Sequence, residues 1–253
     1  MLLENKNAIV YGGAGSIGSA VARGFAREGA TVHLAGRTQS ALDRLAEEIR
    51  STGGRVATAQ LDALDEEAVD AHADEVVATA GSLDICFNLI SVGDVQGTPL
   101  VEMSLADYER PIVTAVRSTF ITARAAGRHM IKQGSGVILM FGGDGGRDPI
   151  RDYNIGGFQV ALNAVEAMRR QLAAELGAYG VRVVTLHTGG VAESVPADLE
   201  GRDEILDMLL APTMLKRTAT LDDVANVAAF AASDGARTIT AASINITCGS
   251  VAD

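Results

Sequence analysis

Near the start of the chain, Gly12-Gly13-Ala14-Gly15-Ser16-Ile17-Gly18 has the residue types and spacing of a phosphate cradle. Read from Gly13, it matches the Gly-x-Gly-x-x-Gly fingerprint of dinucleotide binding. Glycines are needed there because the turn is tight and a pyrophosphate must approach bare backbone. The helix that follows supplies free amides and a positive dipole. Gly12, Gly15, Ser16, Ile17 and Gly18 are therefore candidate cofactor-binding residues. About 20 residues further on, the fingerprint expects an acid that holds a ribose 2′-hydroxyl. That place reads Leu34-Ala35-Gly36-Arg37-Thr38. An acid would repel a 2′-phosphate, whereas the Arg37 guanidinium pairs with it, so the sequence favours NADP(H) over NAD(H).

Such a cradle works only between a strand and a helix, and the flanking residues have those periods. Ala8-Ile9-Val10-Tyr11 is an apolar strand-length run, and Ile17, Ala20, Val21 and Phe25 recur at helical spacing. The alternation continues to the end of the chain. Strands are expected over 31–35, 55–61, 83–88, 136–141, 181–186 and 243–247. Helices are expected over 40–51, 66–79, 105–132 with an interruption or restart near Pro111, 157–179 and 222–232. With the first strand this makes seven strands. Repeated strand–helix alternation implies right-handed crossovers and a parallel sheet covered on both faces. The expected fold class is α/β, a doubly wound, Rossmann-like seven-stranded parallel sheet. No linker, charge block or repeat divides residues 1–253, so they read as a single domain. His187 falls at the end of the sixth strand, on the edge where doubly wound folds bind ligands, and its imidazole suits acid–base work.

Composition narrows the partners. The 253 residues carry 21 Lys+Arg against 32 Asp+Glu, a formal net charge of −11. That average field repels nucleic acid and anionic membranes, and no basic run exceeds Arg169-Arg170 or Lys216-Arg217. Cys86 and Cys248 are too few for a metal cluster, and no His-Glu-x-x-His pairing occurs among the four histidines, so no metal site is expected. No apolar run reaches membrane-spanning length and no signal-peptide core is seen, so a soluble, cytoplasmic protein with a small-molecule substrate or ligand is expected.

At this point the chain resembles the classical short-chain dehydrogenase/reductase family, over nearly its whole length. Tyr11-Gly12-Gly13-Ala14-Gly15-Ser16-Ile17-Gly18 is similar to the family's Thr-Gly-x-x-x-Gly-x-Gly. Leu61-Asp62-Ala63 matches the adenine-contacting aspartate after the third strand. Asp84-Ile85-Cys86-Phe87-Asn88-Leu89-Ile90-Ser91 keeps the first Asn of the Asn-Asn-Ala-Gly strand. Residues 172–183 resemble the segment leading into the sixth strand, with Thr188-Gly189 in place of the Pro-Gly that follows. The resemblance adds Asp62, Ala63, Asn88 and Gly189 to the cofactor-binding set.

The family works with Asn, Ser, Tyr and Lys, the last two as Tyr-x-x-x-Lys. Here the resemblance puts Ala115 at the Asn position and Gly143 at the Ser position. Counting back from residues 172–175 puts Phe158 and Leu162 at the Tyr and Lys positions. Counting forward from Gly143 puts Gly156 and Val160 there. The chain has three lysines, Lys6, Lys132 and Lys216, none in the helix that should carry the catalytic one. Tyr153-Asn154-Ile155-Gly156-Gly157 is similar to the bacterial enoyl reductase branch, although the tyrosine there would fall at Ile155. Tyr153, Asp144 in the glycine-rich loop, and His187 are the remaining catalytic candidates.

The resemblance thus implies an NADP(H)-dependent oxidoreductase with a rebuilt active site. The alternative is a catalytically silent member that binds dinucleotide or a small ligand as a sensor or partner subunit. A non-redox lyase or isomerase reusing the pocket is a third reading. The resemblance further implies a homo-oligomer, a tetramer or dimer, through helices 105–132 and 157–179. Residues 192–212 would form a substrate lid, whose acidic side chains would disfavour anionic substrates.

Overall fold

The computed structural model describes residues 1–142, 153–199 and 201–252. Strands β1 (Asn7–Tyr11), β2 (Thr31–Gly36), β3 (Arg55–Gln60), β4 (Ile85–Asn88), β5 (Gly136–Gly142), β6 (Val181–His187) and β7 (Ala242–Asn245) alternate with helices. These are α1 (Ser16–Arg27), α2 (Gln39–Ser51), α3 (Glu66–Ala80), α4 (Leu105–Gln133), α5 (Phe158–Leu176), α6 (Arg202–Leu210) and α7 (Leu221–Ala232). The strands form one sheet in the order β3-β2-β1-β4-β5-β6-β7, and every pair is parallel. This is the doubly wound sheet that the alternation of periods implies.

Helices cover both faces, so the central strands are apolar on both. Ala8 and Val10 of β1 pack with Val21, Phe25, Leu42, Leu45 and Val224 of α1, α2 and α7. Ile9 and Tyr11 point the other way, into a second core with Val69, Val76, Ile121 and Val165 of α3, α4 and α5. Helix ends are set locally. The Asp65 side chain accepts from the amides of Glu67 and Ala68 at 3.1 Å to start α3, and Gly81 (φ 85°) ends it. Thr220 and Asp223 make a reciprocal capping box on α7.

Pro111 does not interrupt α4, contrary to the sequence expectation: one helix runs from Leu105 to Gln133 with the proline inside it. Proline lacks the amide for the i−4 bond, and propensity alone would end the helix. Tertiary packing outweighs that. Pro111 is buried, and a Cβ on Gly157 would lie 2.0 Å from the Tyr108 carbonyl oxygen and 3.3 Å from the Pro111 ring. The backbone entering α5 thus packs directly on this turn of α4. The last strand is also displaced, ending at Asn245 rather than Thr247. The Asn245 side chain turns the chain there, accepting from the amide and the hydroxyl of Thr247.

Candidate functional site at the carboxyl edge of the sheet

β1 lies between β2 and β4, so the crossover direction reverses beside it and a crevice opens at the strands' carboxyl ends. The glycine-rich turn is built there. Gly12 has φ 74°, and a Cβ on it would lie 2.5 Å from the Leu89 carbonyl oxygen; one on Gly18 would lie 2.2 Å from the Gly12 carbonyl oxygen. Both positions are therefore closed to any side chain. Ala14, Gly15 and Ser16 are exposed, Ile17 is half-buried, and Gly15, the N-cap residue of α1, provides no side-chain cap. The first amides of α1 thus face outward unsatisfied, which suits a pyrophosphate.

The other expected cofactor residues stand along the same edge. Arg37 is exposed one residue past β2, with its backbone carbonyl accepting from Gln60 Nε2 at 2.9 Å. Asp62 is exposed just past β3 and caps the Leu64 amide at 3.0 Å, while Ala63 beside it is buried. Asn88 ends β4. Its Nδ2 donates to Ser118 Oγ on α4 at 3.0 Å and its Oδ1 accepts from the Ile90 amide at 3.2 Å. Gly189 follows β6 so closely packed that a Cβ would lie 2.8 Å from Ser250 Oγ.

The catalytic candidates divide. His187 is the last residue of β6, buried, and paired in register with Gly142 and Asn245. Tyr153 is half-buried in the segment entering α5; its neighbour Asn154 bonds both ways with Gly97. Asp144 and Gly143 lie outside the described residues. Ala115 is buried on α4, and Phe158 and Leu162 lie on the first two turns of α5. Tyr11 and Cys86 sit behind the crevice and take no part in acid–base work at neutral pH. Burial, with Cys86 and Asp70 nearby, raises the Tyr11 phenol well above its ordinary range, and burial pushes the Cys86 thiol up to about 12.

Sequence reading missed a buried polar group on α5. Glu166 Oε2 accepts from Arg169 Nε and Nη2 at 3.0 and 2.9 Å, and its Oε1 accepts from Thr185 Oγ1 of β6 at 2.5 Å. Arg169 is buried, and its Nη1 has no hydrogen-bond partner among the described residues. The only trace in the sequence is two opposite charges three residues apart. On a helix such a pair ordinarily belongs to a solvated face.

Among the described residues, no group of three or more His, Cys, Asp or Glu side chains could hold a metal ion. No helix there is long and apolar enough to cross a membrane.

The fold and its edge define a doubly wound α/β protein whose ligand crevice lies at the β1/β4 switch point. Residues 12–250 match the family model described as enoyl-(acyl carrier protein) reductase. The chain is 32% identical to galactitol 2-dehydrogenase (L-tagatose-forming) of Cereibacter sphaeroides, over 98% of this chain and 95% of the relative. It is 31% identical to D-threitol dehydrogenase of Mycolicibacterium smegmatis, over 98% and 93%. A short-chain dehydrogenase from Burkholderia cenocepacia J2315, solved in complex with NADP, superposes with a TM-score of 0.86 at 26% identity over 100% of both chains. The chain belongs to the short-chain dehydrogenase/reductase family of oxidoreductases, which use nicotinamide dinucleotides and act on small molecules.

Proposed function

We propose that the protein is an NADP(H)-dependent oxidoreductase with a rebuilt active site, acting on a neutral polyhydroxylated substrate. The carrying observation is Arg37, exposed at the end of β2 beside the Gly12–Gly18 turn, where an NAD-selective site would hold an acid. The related Burkholderia structure holds NADP, which supports the same choice. When bound, oxidised dinucleotide would accept the hydride from a carbinol carbon of the polyol while the hydroxyl proton leaves to an acid–base group or water, and the reduced form would return the hydride in the reverse direction. The chain's own residues hold its phosphates at the α1 amides, its 2′-phosphate at Arg37, and its adenine side at Asp62 and Ala63. Asn88 and Gly189 border the nicotinamide side. The names of the galactitol and D-threitol dehydrogenases support a polyol substrate, and the acidic residues Glu193, Asp198, Glu200 and Asp203 of the 192–212 segment disfavour an anionic one.

The site reads as rebuilt because the resemblance puts Ala115 where the family carries Asn, and either Phe158 and Leu162 or Gly156 and Val160 where it carries Tyr and Lys. Proton handling falls to Tyr153, His187 or Asp144. Losing a positioned acid typically costs 10²–10⁴-fold, which slows hydride transfer without preventing it. Those same apolar side chains favour the second reading, a silent member that binds dinucleotide as a sensor or partner subunit. A homo-oligomer through α4 and α5 fits both readings. Val113 and Phe120 of α4 and Val160 of α5 are 58%, 50% and 42% exposed, which is unusual for large apolar side chains.

Calorimetric titration with NADPH and NADH separates these readings. NADPH binding at least about tenfold tighter than NADH supports the proposal, with turnover of a polyol distinguishing enzyme from sensor. Absence of binding by either dinucleotide refutes both.

A further inference from the structure

Gln159 stands on the first turn of α5, and its side-chain carbonyl Oε1 is buried with no hydrogen-bond partner among the described residues. A buried amide oxygen left without a donor is costly, and native proteins rarely tolerate one without a reason. The neighbouring contacts show where it points. Gln159 and Glu166 are seven residues apart, two helical turns, and so share one flank of α5. Glu166 bonds Thr185, so that flank faces β6. α5 descends from the carboxyl edge of the sheet while β6 climbs towards it. Two turns up α5 is about 10 Å, which on β6 is about three residues beyond Thr185. That puts the Gln159 amide level with Thr188 and Gly189, where the chain leaves the sheet for the 192–212 segment.

The start of α5 is held firmly at this height. Gly156 (φ 62°) packs against Met103 and the Val95 carbonyl, and Gly157 against the Tyr108 carbonyl. The amide cannot swing away with a fraying helix end. Across from it, Leu209 of α6 fills the space beside Gly190, where a Cβ would lie 2.2 Å from the leucine. His187, two residues beyond Thr185 on β6 and so on the same face of the sheet, and Thr188 are the buried polar neighbours in sequence at this height.

We propose that Gln159 is a specificity-determining residue whose Oε1 accepts a hydrogen bond from a substrate hydroxyl beside the reacting carbon. This rests on the oxidoreductase reading and deepens it, because a site built to satisfy a hydroxyl discriminates strongly against analogues that lack one. The chemistry selected is a vicinal diol or longer polyol rather than a simple alcohol.

The test compares D-threitol with butan-2-ol, which has the same carbon count without the extra hydroxyls, in the wild type, Gln159→Leu and Gln159→Glu. Oxidation is followed with NADP⁺, and binding of D-threitol to the NADPH-loaded protein is followed by calorimetry. The wild type should prefer D-threitol. Gln159→Leu should lose at least about tenfold in kcat/KM and in affinity for D-threitol, with less than threefold change on butan-2-ol. Gln159→Glu, which keeps an acceptor, should retain the preference. NADPH affinity and the thermal midpoint, unchanged in both variants, show that α5 still forms.

Equal losses on both alcohols, or no loss on D-threitol, overturn the assignment while leaving the oxidoreductase reading intact. A wild type that binds NADPH but no D-threitol also overturns it. A wild type that binds neither dinucleotide removes the reading on which it rests, and the assignment with it.

Discussion

Acidification should destabilise this protein through two histidines that have no place in its chemistry. His72 on α3 and His33 on β2 are 7% and 8% exposed, between the sheet and its α3 cover. The His72 ring meets Tyr11 edge-on, with centroids 6.2 Å apart and planes at 82°. His72 Nδ1 and His33 Nε2 are buried with no partner among the described residues. Burial, and then the neighbouring His33, push the His72 pKa down from 6.5 to about 4. Burial lowers His33 as well, against the opposing pull of Glu75.

The folded state therefore keeps His72 neutral while the unfolded chain takes up a proton near pH 6.5. The stability this contributes is complete above pH 6.5, falls as the pH drops, and has no further slope from this group below about 4. The shift corresponds to about 3 kcal/mol, of which about 2 kcal/mol is gone by pH 5. For a domain of this size that is about 4–8 °C in thermal midpoint. The assay is thermal and urea unfolding by far-ultraviolet dichroism from pH 7.5 to 5, in the wild type and His72→Phe. Phenylalanine keeps the edge contact with Tyr11 and cannot titrate. The variant should lose about 2 kcal/mol less than the wild type over that range. Identical pH dependence in the two proteins, or an imidazole resonance of His72 that titrates near 6.5, would refute the burial argument.

Other outcomes follow from single contacts. Arg37→Ser should weaken NADPH about tenfold or more and leave NADH unchanged by calorimetry, removing the selectivity. Gly18→Ala drives a Cβ to 2.2 Å from the Gly12 carbonyl oxygen, so it should abolish dinucleotide binding and cost about 2 kcal/mol or more of stability. Glu166→Ala strands the buried Arg169 guanidinium and should cost about 3 kcal/mol in urea unfolding. The double change Glu166→Leu with Arg169→Met should recover most of that, because the pair's worth is largely offset by its desolvation. Phe120→Glu on the exposed face of α4 should lower the mass seen by light scattering if copies associate there.

The doubly wound sheet, the tight glycine turn at Gly12–Gly18 and the place of Arg37 just past β2 are all legible in the residues themselves. The reason is that each signal is local. Strand and helix periods repeat within ten or fifteen residues. The glycines of the turn answer to steric limits set within a few residues of themselves. The family resemblance added Asp62, Asn88 and Gly189, and the structure places all three on the carboxyl edge. What sequence could not decide depends on which distant segments touch. Pro111 reads as a helix breaker until the Gly157 backbone packs against it. Glu166 and Arg169 read as a solvated pair until Thr185, 19 residues on, arrives from β6 to bury them. His33 and His72 lie on separate elements, and nothing in either local sequence marks their shared burial. The buried, unpartnered Oε1 of Gln159 is likewise a property of the packed layers that nothing in its local sequence marks. Local periodicity writes the elements and their order, whereas burial and the pairing of polar groups are properties of the assembled layers.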